Sequence, residues 1–126
     1  MDIPDDLRYS TDHEWLRTDG NRVRIGITDY AQDALGDVVF VQVPELGAQV
    51  AVGASISEVE STKSVSDIYA PVTGTVVEVN DALEGSPDKL NSDPYGDGWI
   101  CVIETDDAGP AGSLLDADAY RALIED

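Results

Sequence analysis

The amino-acid sequence predicts a mainly β protein with short helices and a C-terminal helix. Short Val-rich runs recur along the chain, Gly and Pro residues separate them, and helical spacing is confined to brief segments. The chain has 126 residues, of which 42% are hydrophobic, which is enough for one core burying roughly two-thirds of the unfolded surface. We therefore expect residues 1–126 to form a single domain.

The first half of the chain contains two predicted strands with a helix between them. Residues 22–27 alternate between apolar and polar or small side chains, which is the period of a half-buried strand. Residues 28–35 predict a short helix, because Thr28 can cap its start and Gly36 can end it. Residues 38–43 are apolar at nearly every position, so we expect a strand that is buried on both faces.

The second half is predicted to add two strands and the C-terminal helix. Segments 75–79 and 99–103 are short apolar runs that read as strands. Segment 116–124 predicts a short helix docked on the core. The apolar side chains that give this region its helical spacing are Leu115, Ala119, Ala122 and Leu123.

One segment of the chain is echoed at an offset of 27 residues. Residues 41–50 and 68–77 each contain a strand-like run, a Pro-x-x-Gly turn and a second strand-like run. A duplicated strand–turn–strand unit that folds against its own copy explains this echo. Chance recurrence of the same turn between Val-rich runs is the alternative, and the sequence leaves both open.

The charge balance excludes several classes of partner. The formal net charge is −19, from 26 acidic and 7 basic residues, and such a surface repels nucleic-acid phosphates and anionic membranes. No apolar run approaches the roughly 20 residues that span a bilayer. The first residues lack the basic and apolar regions of a signal or transit peptide. We expect a cytoplasmic protein.

Three features that invite a chemical role are better explained by structure. Cys101, the single cysteine, lies in an apolar run and predicts a buried structural thiol that forms no intramolecular disulfide. His13, the single histidine, has no recognisable nucleophile partner and predicts a structural hydrogen bond. The acidic segment 91–98 lacks the spacing and the distal Glu of a calcium loop, so we expect a tight turn.

Lysine is scarce, and one of the two lysines has a distinctive setting. Lys63 lies among small and polar residues between two strand-like runs, which predicts a hairpin with Lys63 near its tip. Lys89 has no comparable setting. Chemistry that requires a primary amine therefore points to Lys63, because arginine keeps its proton at any relevant pH. A solvated surface charge is the simpler alternative for Lys63.

The segment ESTKSVSDIYAP at 60–71 closely resembles the lipoyl-attachment segment of the H protein of the glycine cleavage system. Other pieces resemble the same family in the same order and bring the similarity to about residues 7–124. They are HEW at 13–15, GITDYA at 26–31, LGDVVFV at 35–41, GTVVEVN at 74–80 and NSDPYGDGW at 91–99. Thr62 and Ser64 depart from the residues that many members carry, and neither change removes the amine.

The resemblance implies a barrel-sandwich hybrid, the fold of lipoyl and biotinyl domains, in which two antiparallel sheets are related by a pseudo-two-fold axis. It implies lipoic acid as the cofactor, joined by an amide to the ε-amine of Lys63. The lysine stem and lipoyl chain together would extend about 14 Å from the backbone. The group carried by the lipoyl arm would be an aminomethyl group with a basic amine. Acidic side chains are expected to hold this cargo amine as a cation, with Glu14 and Asp67 the first candidates and Asp12 the third. Three ordinary surface acids are the alternative.

The resemblance also implies a carrier and not an enzyme, which acts as a monomeric shuttle. A pyridoxal-phosphate glycine decarboxylase would load the lipoyl arm with an aminomethyl group. An aminomethyltransferase would remove that group, and a dihydrolipoamide dehydrogenase would collect the reducing equivalents. Lipoyl-attaching enzymes would be further partners, and the hard chemistry would belong to the partners' cofactors.

Several alternatives stay open on the sequence. Biotin domains usually place Met on both sides of the lysine, where this chain has Thr62 and Ser64. Lipoyl domains of 2-oxoacid dehydrogenases lack the His-Glu-Trp and Asn-x-x-Pro-Tyr segments. Within the family, some H-like proteins relay lipoyl groups instead of serving glycine cleavage. An acidic β-domain that binds partners as a scaffold, with Lys63 unmodified, is the alternative from a different class.

Overall fold

Two antiparallel sheets form the framework of the protein in the computed structural model, which describes residues 2–106 and 114–125. Nine strands are found in these residues: β1 Arg8–Tyr9, β2 Glu14–Asp19, β3 Arg22–Ile27, β4 Val38–Gln42, β5 Gln49–Val50, β6 Ser55–Ser61, β7 Val65–Tyr69, β8 Gly74–Val79 and β9 Cys101–Glu104. Four helices are found in them: α1 Asp29–Leu35, α2 Ala82–Gly85, α3 Lys89–Ser92 and α4 Ala117–Glu125. The predicted mainly β fold class is confirmed.

One sheet has six strands in the order β1-β2-β3-β9-β8-β5, and the other has three in the order β4-β6-β7. The main core is built from the buried faces of both sheets. Ile25 of β3, Val59 of β6 and Ile103 of β9 are fully buried in it. The alternation predicted for 22–27 is confirmed, since the apolar residues of β3 enter this core while Arg22 stays exposed. No helix of the described residues is long and apolar enough to cross a membrane.

The two copies of the sequence echo occupy equivalent places. Their first strands, β4 and β7, flank β6 in the three-stranded sheet. Their second strands, β5 and β8, pair with each other in the six-stranded sheet, where Gln49 lies opposite Thr75. Each Pro-x-x-Gly turn therefore carries the chain from one sheet to the other. This arrangement is what a pseudo-two-fold axis between two duplicated units requires.

The expectation that β4 is buried on both faces is wrong. Val39 and Phe40 are 52% and 50% exposed, while Val38 and Val41 are buried. β4 is an edge strand of the three-stranded sheet, and its pairing with β6 is irregular between Val38 and Phe40. An apolar run alone does not say whether a second layer covers the outer face of a sheet.

Two further boundaries differ from the predictions. β9 begins at Cys101 and not at residue 99, because the Trp99 amide donates to Gly96 O in a turn and the Trp99 carbonyl accepts from the Asn80 side chain. β8 begins one residue before the predicted 75–79 strand. At the start of β9, these turn and side-chain hydrogen bonds replace the ladder bonds that a longer strand would make.

The C-terminal helix forms where it is predicted but packs through a different face. Ala119, Ala122 and Leu123 are exposed, whereas Ala117 and Tyr120 are buried. The Tyr120 ring stacks on Tyr9 with centroids 4.7 Å apart. A tyrosine buries far more area than the alanines that suggested the other face. The helix closes a second, smaller core that also contains Trp15.

Candidate functional site

The predicted hairpin is confirmed, and Lys63 lies at its tip. β6 and β7 pair antiparallel, and the Ser61 amide donates to Ser64 O over 2.8 Å to close the turn. The Ser61 hydroxyl oxygen also accepts from the Lys63 and Ser64 amides, at 3.2 and 3.1 Å. One small polar side chain thereby satisfies the backbone of a turn that leaves Lys63 exposed.

The hairpin tip rests on the segment that follows α1. The Thr62 amide donates to Asp37 O over 3.0 Å, and Val38 pairs with Ser61. Gly36 ends α1 with φ +82°, and a Cβ at this residue would lie 3.1 Å from Lys63 Cε. A glycine is therefore favoured twice here, by its backbone conformation and by the Lys63 stem that lies against it.

Asn91 holds this platform in place. Its Oδ1 accepts from the Val38 amide at 2.9 Å, and its Nδ2 donates to Gly36 O at 2.8 Å and to Gln32 Oε1 at 3.0 Å. The sequence predicted a tight turn at 91–98 and gave Asn91 no role of its own. Its partners lie more than fifty residues away along the chain, so no local signal could reveal them.

Asn91→Ala is expected to lower the free energy of unfolding by about 2 kcal/mol, because it leaves the Val38 amide and the Gly36 carbonyl without this side chain. Urea denaturation measures the loss, and amide hydrogen exchange at Thr62 should accelerate as the platform loosens. Ser92→Ala, at the exposed next residue of α3, is the matched control and should change stability by less than about 0.5 kcal/mol. Equal stability of the two variants would contradict the role of Asn91.

Glu14 is a buried carboxylate at the first residue of β2. Its side chain is 1% exposed. Oε1 accepts from the Ser10 hydroxyl at 2.8 Å, and Oε2 accepts from the Tyr69 amide at 3.0 Å. Burial raises the pKa of Glu14 to about 7, although both hydrogen bonds act in the opposite direction. The Glu14 carboxyl can therefore be charged or neutral close to neutral pH.

The three predicted acids do not share one cleft. Asp12 and Asp67 line a cleft of about 170 Å³ whose apolar wall includes Ala31, Leu35 and Ile68. Glu14 lines a neighbouring cavity of about 330 Å³ that also contains Asp12. Asp12 and Asp67 are exposed, in contrast to Glu14. Asp12 therefore lines both the cleft and the cavity, whereas Asp67 lines only the cleft and Glu14 only the cavity.

His13 makes the kind of structural contact that was predicted for it. Its Nδ1 lies 2.8 Å from the Tyr120 hydroxyl, and its ring packs on Tyr30 with centroids 4.7 Å apart. Burial lowers the pKa of the imidazole, so the neutral form is favoured. The Tyr120 hydroxyl also lies 2.7 Å from Thr28 Oγ1, which accepts from the Ala31 amide and caps α1 as predicted. Tyr120 is a supporting residue that the sequence reasoning missed.

The remaining candidates lie outside this site. Cys101 is fully buried, and burial raises the pKa of its thiol to about 12, as befits a structural cysteine. Lys89 lies in α3 with Nζ 4.0 Å from Asp97 Oδ2. The Asp93 carboxylate accepts from the Asp97 amide within the predicted tight turn. Across residues 2–106 and 114–125, no group of three or more His, Cys, Asp or Glu side chains could hold a metal ion.

The arrangement as a whole suits carriage of a covalently attached group. A primary amine lies exposed on a hydrogen-bonded turn, and Leu35 of the nearby cleft directly precedes Gly36, against which the Lys63 stem lies. Ser66 and Asp67, which also line the cleft, are three and four residues after Lys63, so their Cα atoms are within about 14 Å of its Cα atom. A flexible arm attached at Lys63 could therefore reach a partly apolar cleft that has carboxylates at its edge.

Comparisons with known proteins agree with this geometry. The family model "Glycine cleavage H-protein" matches residues 7–126. The glycine cleavage system H protein of Mycobacterium avium is 60% identical over 128 residues, covering 98% of this chain and 97% of that protein. The H protein of Mycobacterium tuberculosis is 55% identical over 130 residues, with 98% and 97% coverage.

A solved structure supports the same conclusion. The crystal structure of a glycine cleavage system H protein from Mycobacterium marinum superimposes with a TM-score of 0.89 at 45% identity, covering 98% of this chain and 99% of that one. The fold is thus the barrel-sandwich that the resemblance implies. The chain belongs to the glycine cleavage H-protein family, and its role is that of a shuttle of the glycine cleavage system and not of an enzyme, in a family whose members carry lipoate.

Proposed function

We propose that Lys63 carries lipoic acid as an amide of its side-chain amine. The observation that carries this proposal is the position of Lys63, exposed at the tip of a hydrogen-bonded hairpin turn. Lys89, the other lysine of the sequence, is half buried in a short helix beside Asp97. An attaching enzyme reaches the Lys63 amine without disturbing the fold, so the two lysines are not equivalent substrates.

The residues around Lys63 fit a lipoyl arm. Gly36 leaves room for the lysine stem, and Ala31, Leu35 and Ile68 give the cleft an apolar wall for hydrocarbon and sulfur. An arm of about 14 Å spans the distance to this cleft. When attached, lipoic acid supplies a disulfide that takes up the aminomethyl group together with reducing equivalents. The chain's own residues position the arm and shelter its cargo.

Glu14, Asp67 and Asp12 are proposed to hold the cargo amine as an ammonium ion. A carboxylate favours the protonated amine through charge-assisted hydrogen bonds, and a protonated nitrogen has no lone pair with which to expel the sulfur. Asp67 and Asp12 line the cleft beside Lys63, and Glu14 lines the adjoining cavity, which it shares with Asp12. These positions support contact of Asp67 and Asp12 with the cargo amine in the cleft, and contact of Glu14 with that amine in the adjoining cavity.

The partners in this proposal are those of glycine cleavage, namely a pyridoxal-phosphate glycine decarboxylase, an aminomethyltransferase and a dihydrolipoamide dehydrogenase. The net charge of −19 supports encounter with basic rims around the active sites of these partners. We place the carrier in the cytoplasm as a monomer whose residues 1–126 act as one domain. The lipoyl-attaching enzyme is the fourth partner.

Intact-mass measurement on protein from its native host tests the modification directly. We expect a mass increase of one lipoyl group, and peptide mapping should place it on Lys63. The modified protein should then support exchange of the glycine carboxyl group with labelled carbon dioxide when glycine decarboxylase is added. An unmodified mass in lipoate-replete cells would favour the scaffold alternative, and modification without exchange would favour a lipoyl relay carrier.

A further inference from the structure

An apolar patch lies next to the Lys63 turn on the outer face of the three-stranded sheet. Phe40 of β4 lies opposite Glu60 of β6, which lies opposite Val65 of β7. Phe40 and Val65 are 50% and 55% exposed, and Val39 at the irregular end of β4 is similarly exposed. We refer to Val39, Phe40 and Val65 as the Phe40 patch. Phe40 is the single phenylalanine of the sequence, and half of it faces solvent.

Three carboxylates lie on the same face of the sheet as this patch. Glu60 lies between Phe40 and Val65, and the next row across the same face is Gln42, Glu58 and Asp67. Successive rows on one face of a sheet are about 7 Å apart along the strands, so Glu58 and Asp67 border the row that contains Phe40 and Val65. An apolar centre with a polar rim is the usual composition of a protein–protein contact, and the charged side chains of these two rows are all negative.

We propose that the Phe40 patch is the docking surface for the enzyme that attaches lipoic acid to Lys63. This inference rests on the proposed modification of Lys63. The surface fits an active-site rim that presents an apolar side chain flanked by Arg or Lys, because such a rim matches both the apolar centre and the three carboxylates of Glu58, Glu60 and Asp67.

The length of the unmodified lysine selects this occupant over the other partners. A lysine side chain reaches only about 6 Å from Cα to Nζ, and acyl transfer brings the reacting atoms to about 3–3.5 Å. Val65 is two residues from Lys63, so one edge of the Phe40 patch lies within about 7 Å of the Lys63 backbone. An enzyme that reaches so short a side chain has this patch within its contact area. A lipoylated arm of about 14 Å lets the later enzymes stand further away.

The chemical step defines what this docking must achieve. The Lys63 ammonium first loses one proton to become the nucleophilic amine, and its nitrogen then forms an amide bond to the carbonyl carbon of an activated lipoyl donor, such as an acyl phosphate ester. The bond from that carbon to the leaving group breaks, the leaving group departs with the electron pair, and the nitrogen gives up a second proton. No oxidant or reductant is needed. The patch itself touches none of these atoms and serves to hold the amine at the donor.

Lipoylation kinetics of the unmodified protein test the proposal, with intact mass as the readout. Phe40→Ser is expected to raise KM for the attaching enzyme about tenfold, the usual scale for removing an aromatic anchor from a contact. Val65→Ser, at the exposed start of β7, should raise KM in the same direction and serves if Phe40→Ser does not fold. Leu46→Ser is the matched control, because Leu46 is 63% exposed beyond the end of β4 that is remote from Lys63. It should change KM less than about twofold.

A competition experiment separates docking from transfer. Lys63→Arg cannot accept the acyl group but retains the patch, so it should inhibit lipoylation of the wild type competitively. The double variant Lys63→Arg/Phe40→Ser should inhibit about tenfold more weakly. Added salt should weaken inhibition by Lys63→Arg, since the rim is charged.

The outcomes distinguish this inference from the proposed function. Lipoylation of the wild type at Lys63 with unchanged kinetics in Phe40→Ser and Val65→Ser would overturn the docking surface and leave the modification standing. No lipoylation of the wild type would overturn both. Normal lipoylation of Phe40→Ser together with slower glycine exchange would also overturn the inference, because a later partner would then occupy the patch.

Discussion

Lys63→Arg is expected to abolish lipoylation and to reduce glycine–carbon dioxide exchange to the background measured without the carrier. The guanidinium keeps the positive charge and much of the length of the lysine side chain but offers no amine that can form the amide. The fold should be unaffected, because Lys63 is exposed and its backbone contacts are made by amide groups that arginine also has. Intact mass and exchange of labelled carbon dioxide measure the two losses.

Lys89→Arg is the matched control for this prediction. It replaces the other lysine of the chain and preserves a cation near Asp97, from which Lys89 Nζ is 4.0 Å away. Lipoylation and exchange should both stay at the wild-type level. Lipoylation that persists in Lys63→Arg and disappears in Lys89→Arg would transfer the carrier role to Lys89 and would refute the assignment of Lys63.

Much of the fold and the central residue of the site could be predicted from local chemistry. Alternation of apolar and polar residues over 22–27 predicted β3, and Thr28 and Gly36 predicted the two ends of α1. Lys63 stood out because the chain has only two lysines and because small polar residues next to it predict a turn. These signals survive in the sequence because each depends on residues that are neighbours along the chain.

The features that escaped prediction depend on contacts between distant segments. Asn91 bonds to residues 32, 36 and 38, and Tyr120 reaches His13 and Thr28 from the other end of the chain. Phe40 is exposed because no second layer covers the outer face of the three-stranded sheet, where Glu58 and Glu60 of the central strand are exposed as well. An apolar run does not reveal this. The acids are divided between the cleft and the cavity because Glu14 of β2 contacts Tyr69 of β7, which is another contact between distant segments. Patterns among neighbouring residues carry no information about contacts between segments this far apart in the chain.

Glu14→Gln is expected to remove a pH dependence of stability of about 3 kcal/mol. Burial raises the pKa of Glu14 from 4.5 to about 7 in the folded protein, so the folded state binds the proton more tightly than the unfolded state. The contribution of Glu14 to stability is therefore highest below pH 4.5, falls as the pH rises through this interval, and stays low above pH 7. Glutamine has no such proton and still offers an oxygen to the Tyr69 amide.

Urea denaturation of the wild type and Glu14→Gln between pH 4 and pH 8 measures this effect as a difference between two proteins, so the other acids of the chain cancel. The free energy of unfolding of Glu14→Gln, relative to that of the wild type, should rise by about 3 kcal/mol from pH 4 to pH 8. Glu45→Gln, at an exposed turn, is the control and should show a flat difference. A flat difference for Glu14→Gln as well would show that the Glu14 carboxyl is not perturbed by its burial.

The same variant tests whether the buried Glu14 carboxylate, which destabilises the fold near neutral pH, binds the cargo amine. If the carboxylate holds the cargo ammonium, Glu14→Gln should lose a charge-assisted hydrogen bond and the loaded carrier should decay about tenfold faster at pH 8. Release of the one-carbon unit as formaldehyde measures that decay, with Glu45→Gln again as the control. A protein that becomes more stable and yet holds its cargo less well would show that Glu14 is retained for carriage, because folding alone would favour the glutamine. An unchanged decay rate would remove Glu14 from the cargo site and leave Asp67 and Asp12 as its acids.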